Sequence, residues 1–158
     1  MTEWPARGLR RRSFCFRSGT TAAYLPQKAV GGYQLPYRGP QLWHAADEAP
    51  GRLRLDRDSP VVLGSVRLVF DDDVDVDEYL NNLHLHRTPF EIMPELVRDY
   101  HVEVRADGAW QRVAEETGNR RRHRVHRFTP RSVSALRVRV DATNGARRPR
   151  IVAVRAYS

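Results

Sequence analysis

From Gly51 onward, apolar and polar positions alternate in short runs. Arg52-Leu53-Arg54-Leu55-Asp56 has a period of two, and Val66-Arg67-Leu68-Val69-Phe70 follows it less cleanly. Tyr100 to Arg105, Trp110 to Ala114, Arg124 to Phe128, Leu136 to Val140 and Ile151 to Val154 continue the series. A period of two sends successive side chains to opposite faces of an extended chain, so each run predicts a half-buried β-strand. Asp107-Gly108 between two such runs predicts a tight hairpin. Asn144-Gly145 and then Pro149 separate the last two strands. A helical turn is expected only over Pro94 to Asp99. Short strands at spacings of about ten residues, with Gly/Pro turns and no long helical pattern, predict an all-β antiparallel sandwich or barrel.

The alternation changes the meaning of the composition. The 158 residues carry 27 Lys+Arg against 19 Asp+Glu, a formal net charge of +8, and Lys28 is the only lysine. In Leu136-Arg137-Val138-Arg139-Val140 the apolar residues point to a core and the arginines outward, and Arg52 and Arg54 do the same around Leu53 and Leu55. Much of the basic charge is therefore the solvent face of strands. A single cysteine, Cys15, excludes an intrachain disulfide and a cysteine-based metal site. No apolar run approaches the roughly 20 residues of a membrane helix.

The first part of the chain reads differently. Arg7, Arg10, Arg11, Arg12 and Arg17 surround Ser13-Phe14-Cys15-Phe16, and a Gly/Pro-rich stretch carrying Tyr33, Tyr37, Trp43 and His44 follows. Arg17 interrupts any apolar core of an export signal, so a cytoplasmic location is expected over secretion. The expected organisation is a poorly ordered basic arm and lead-in over 1–38, followed by one sandwich over 39–158.

Four stretches carry a family resemblance. Pro40-Gln41-Leu42-Trp43 precedes the strand Leu53-Arg54-Leu55-Asp56. Pro60 to Phe70 forms the next. Tyr100 to Val113 reads as strand, Asp-Gly turn, Trp, strand. Phe128-Thr129-Pro130 with Ala135 to Val138 is closed by Ile151 to Tyr157. In this order they resemble the galactose-binding-like (discoidin, or coagulation factor type C) jelly-roll β-sandwich. Phe70-Asp71-Asp72-Asp73, Met93 to Tyr100, Gly118-Asn119, Val125 to Phe128 and Ala142 to Gly145 resemble, more narrowly, the C-terminal accessory domain of some bacterial FAD-dependent oxidoreductases. The chain has no Gly-x-Gly-x-x-Gly sequence to cradle a pyrophosphate, so the flavin chemistry of those proteins does not carry over. The resemblance implies an accessory domain, standing alone or cut from a longer chain, while the fold itself licenses no function, because sandwiches of this kind host many ligands.

Three constellations are candidates for function. Tyr79, Asn81, Asn82, His84, His86 and Arg87 combine amide, imidazole and guanidinium groups with an aromatic face. With Trp43 and His44 at the same end, they are the candidate carbohydrate contacts. Asp71, Asp73 and Asp75 alternate in a way that could wrap three carboxylates around a structural calcium, although the glycine and distal glutamate of an EF-hand are missing. Arg120, Arg121, Arg122 and Arg124 form the densest basic run, suited to an anionic partner and read otherwise as a charged edge strand. No nucleophile elbow or tuned carboxylate pair suggests an enzyme. The leading expectation is carbohydrate or glycosylated-surface recognition through end loops. The alternatives are a subunit docking on a separately encoded enzyme, and binding of an anionic polymer or nucleic acid.

Overall fold

A computed structural model describes residues 24–31, 42–72 and 91–158. Six strands follow one another among the described residues: β1 (Trp43–His44), β2 (Gly51–Phe70), β3 (Val97–Ala106), β4 (Ala109–Glu116), β5 (His123–Thr143) and β6 (Arg150–Tyr157). All pairings are antiparallel, in the order β1-β6-β2-β5-β3-β4.

The alternating runs are present as strands, but four of them merge into two. Arg52–Asp56 and Val66–Phe70 are the two ends of the 20-residue β2, and Arg124–Phe128 and Leu136–Val140 those of the 21-residue β5. Their pairing slips twice, between Asp56 and Val61 and between Leu63 and Ser65. Pro60 and Pro130, which have no N–H to give a ladder, fall in these slips. A Cβ on Gly64 would lie 3.1 Å from Cγ of Pro130, so the two chains run close at the corner. There the ribbon bends, and its ends enter different layers. The first half of β2 and second half of β5 join β3 and β4, while the second half of β2 and first half of β5 join β6 and β1.

The layers meet over a core of Leu53, Val66, Leu68, Phe70, Val97, Tyr100, Val102, Val104, Val138, Val140 and Ile151, all buried. Phe70 and Tyr100 come from opposite layers, and their ring centroids are 4.9 Å apart. Burying one such side chain is worth about 1.5–3 kcal/mol, which makes this row the main stabilising feature. The 3-10 helix Pro26–Val30 lies in the stretch that the sequence places in the lead-in; it packs on the sandwich and fully buries Ala29. A smaller cluster of Leu42, Val69, Val152 and Ala153, with Tyr24 against it, forms separately from the main core.

The hairpin between β3 and β4 turns through Asp107 (φ 51°) and Gly108 (φ 78°), the two left-handed positions that an Asp-Gly turn supplies. The helical turn expected over Pro94 to Asp99 is not formed. Only a turn at Pro94–Glu95 is found, and Val97 already pairs with Thr143 in the sheet. The ladder contacts of an alternating Val97–Ala106 outweigh one isolated helical turn.

Candidate functional site

The outer face of the β2-β5-β3-β4 layer carries an ordered block of charge. Register sets Arg52 directly opposite Arg139 and Arg54 directly opposite Arg137. Like charges placed opposite one another destabilise a sheet unless something answers them. The Arg54/Arg137 pair is answered well. Arg54 bonds Asp56 at 2.7 Å, and Arg137 donates through two nitrogens to the two oxygens of Glu103 on β3. The guanidinium of Arg137 also lies 4.1 Å from the ring centroid of Trp110, with that of Arg54 at 5.6 Å. The charge-assisted bond from Arg137 holds the Glu103 carboxyl below the usual glutamate range.

The Arg52/Arg139 pair is answered weakly. Arg139 approaches Asp141 only to 3.7 Å, and Asp141 also holds Nδ1 of buried His101 at 3.0 Å. Beside this pair opens a cleft of about 510 Å³. One side is Arg52, Arg137 and Arg139; the other is Trp43, Pro50 and the segment from Ala45 to Asp47. The loop wall is fixed to the next segment by two hydrogen bonds. Ala45 N–H donates to the Pro149 carbonyl at 3.0 Å, and Ala49 N–H to the Arg147 carbonyl at 2.9 Å. Gly51 lets this wall close, since a Cβ there would stand 2.9 Å from Pro149 Cγ and 3.2 Å from Ala45 Cβ. The result is a preformed polar cleft that offers guanidinium forks on one side and the Asp47 carboxylate on the other.

A second cleft, about 780 Å³, lies where β2 bends. Val30, Leu55, Val61, Val62 and Leu136 give it an apolar lining, with Arg57 at its rim.

The expected site residues are distributed as follows. Trp43 reaches the polar cleft but is 6% exposed and belongs to the core, paired in register with Ile151, so it offers no open stacking face. His44 is half-buried, edge-on to Tyr24 at 5.5 Å between ring centroids. Burial, then Arg150 and Arg148, hold its pKa below the ordinary value. Tyr79, Asn81, Asn82, His84, His86 and Arg87 lie outside the described residues, as do Asp73 and Asp75. Asp71 is buried, and its Oδ2 accepts from Arg150 at 3.1 Å. That oxygen is engaged in an ion pair, and no group of three or more His, Cys, Asp or Glu among the described residues could hold a metal ion.

The basic run 120–124 does not form one surface. Arg122, just before β5, and Arg124, on it, are partly buried: Arg122 bonds Asp72 at 2.6 Å and Arg124 pairs with Glu116. Arg120 and Arg121 remain exposed, and Arg120 lies 3.6 Å from Glu91. His126, on the inward row, meets the Tyr100 hydroxyl, as an interior histidine needs. The convergence of Arg52, Arg137 and Arg139 is not legible in the sequence. Their outward parity was visible in the alternation, but only the register says which arginine faces which. No helix among the described residues is long and apolar enough to cross a membrane.

No protein-family model matches the chain, and no curated protein sequence matches it. Solved structures do. Chitosan-binding module 1, derived from a chitosanase/glucanase of Paenibacillus sp. IK-5, superposes with a TM-score of 0.63 at 15% identity, covering 87% of each chain. The family 32 carbohydrate-binding module of Streptococcus pneumoniae EndoD gives 0.63 at 16% identity over 86% of each chain. The family 32 module of C. perfringens NanJ, solved in complex with galactose, gives 0.62 at 13% identity over 86% of each. The fold is thus a galactose-binding-like β-sandwich of the kind found in carbohydrate-binding modules.

Proposed function

We propose that this chain is a non-catalytic carbohydrate-binding module and that the cleft beside Arg52 is its contact surface. The observation that carries the reading is the cleft's construction on the rigid layer of a sandwich whose structural neighbours are carbohydrate-binding modules. A saccharide presents vicinal hydroxyls and an apolar C–H face. Guanidinium forks and the Asp47 carboxylate provide directional partners for the hydroxyls, and the exposed ring of Pro50 is the apolar surface left for the C–H face. Because the wall is already hydrogen-bonded in place, little ordering opposes binding.

Titration calorimetry against a panel of neutral and acidic oligosaccharides tests this. Binding by the panel, weakened about tenfold or more by Arg52→Ala or Asp47→Ala, is the expected result. No binding to any member overturns it. Binding unchanged by the cleft variants but lost in a His84→Ala/His86→Ala double variant would move the contact to the end loop.

A further inference from the structure

Resting on that reading, we propose that the cleft selects saccharides bearing a carboxylate, the uronic acid units of acidic glycans.

The argument begins with the unequal treatment of two identical pairs. Arg54 and Arg137 stand opposite one another, and Asp56, Glu103 and the Trp110 ring compensate them. Arg52 and Arg139 stand opposite one another two residues along the same strands, on the same face. Asp141 is their only carboxylate neighbour among the ion pairs of the described residues, at 3.7 Å from Arg139, and it is shared with His101. Both arginines are exposed and both line the cleft. Two adjacent forks with one loose counter-ion form a receptor for a planar anion, because a carboxylate between them accepts from both and removes the cross-strand repulsion.

The rest of the cleft decides which anion. Asp47 stands on the facing wall. It repels a ligand that is anionic throughout, such as a polyphosphate, but accepts hydrogen bonds from hydroxyls. A sugar ring with one carboxylate and free hydroxyls offers both features on one unit. Arg148, on the segment to which the loop wall is bonded, adds positive charge at the same end, while Arg147 there is met by Glu48 at 3.8 Å. Long-range attraction therefore favours an acidic chain over a neutral one.

The test compares trigalacturonate with galactotriose, which lacks the carboxylates, by titration calorimetry at low and moderate salt. A sulfated galactan and a single-stranded RNA serve as further anions. The expected result is binding of trigalacturonate at least about tenfold tighter than galactotriose. The preference should weaken as salt rises, and Arg52→Gln or Arg139→Gln should abolish it. The same variants should melt at or above the wild-type temperature, since each removes one member of an opposed cationic pair; this separates lost binding from lost fold. Equal affinity for the two trisaccharides overturns the selectivity and leaves carbohydrate binding standing. Binding of neither sugar overturns both. Tighter binding of sulfated galactan or RNA than of trigalacturonate also overturns carboxylate selection.

Discussion

The Tyr100 hydroxyl lies 2.8 Å from Nε2 of His126, joining the two layers by a polar contact inside an otherwise apolar core. Arg124, paired with Glu116, adds positive charge near the same tyrosine. A neutral His126 accepts the phenol O–H at Nε2, which satisfies both groups. Burial accordingly holds His126 below its ordinary pKa and pushes Tyr100 up to about 12.

Replacing Tyr100 by Phe keeps the ring against Phe70 but leaves the His126 nitrogen without its partner. A loss of about 1–3 kcal/mol is expected in urea unfolding. A Tyr100→Phe variant as stable as wild type would show that the contact contributes nothing.

The same groups set the pH profile. Tyr100 has a folded pKa above its ordinary value of 10.0, so its contribution is complete below pH 10 and is lost as pH rises toward 12. His44, His123 and His126 are all held below 6.5, chiefly by burial. Below that pH the unfolded chain binds protons that the folded chain refuses, so stability falls on acidification. Asp99, held down mainly by the Gly118 N–H, and Glu103, held down by Arg137, extend the fall below their ordinary values of 3.8 and 4.5. Thermal melts across the pH range should give the highest Tm between neutrality and the onset of tyrosine ionisation. A Tm that climbs toward pH 5 contradicts this assignment.

Asn119 is 2% exposed and ties together three backbone groups. Its Nδ2 donates to the Val97 and Arg121 carbonyls at 2.8 and 3.0 Å, and its Oδ1 accepts from Arg121 N–H at 3.1 Å. Asn119→Ala removes all three bonds where water has little access. The expected cost is about 2–4 kcal/mol by chemical denaturation, whereas a surface asparagine would show a few tenths.

At Gly51 the expectation is steric. An alanine there must push aside Pro149 or Ala45, which shape the cleft wall. Gly51→Ala should cost about 1–3 kcal/mol and weaken saccharide binding together with stability. A variant that melts normally and binds normally would mean that the wall yields freely.

The Arg137–Glu103 pair is suited to a double-mutant cycle, since its side chains are 19% and 12% exposed and the contact is two-pronged. Arg137→Lys keeps the charge but loses the fork and the planar stack on Trp110. A coupling of about 1–2 kcal/mol between Arg137→Lys and Glu103→Gln is expected, and near-zero coupling would reduce the pair to a surface contact.

How much of this could be read from the chain depends on whether a feature is local. The inward parity of Leu53, Val102 and Val138, and the Asp107-Gly108 turn, are properties of neighbouring residues, and both are found where alternation and turn chemistry put them. The continuity of β2 through Pro60 and of β5 through Pro130 was hidden because proline ordinarily ends a strand, and only pairing shows that these two sit in bulges. The site was hidden for the same reason. Arg52 and Arg139 are 87 positions apart in the chain and become opposed only through register. Arg120 to Arg124 are adjacent in sequence, but Arg122 and Arg124 are taken up by Asp72 and Glu116, acids that lie in other segments and that adjacency does not reveal.

The bent ribbon has a mechanical consequence. Because β2 and β5 each cross from one layer to the other, the sandwich has no seam along which one sheet could be lifted from its partner. Pulling on one layer loads the other through continuous backbone. A ligand seated at Arg52 and Arg139 therefore grips the ribbon near one end, and tension from a polymer held there is carried into both sheets together.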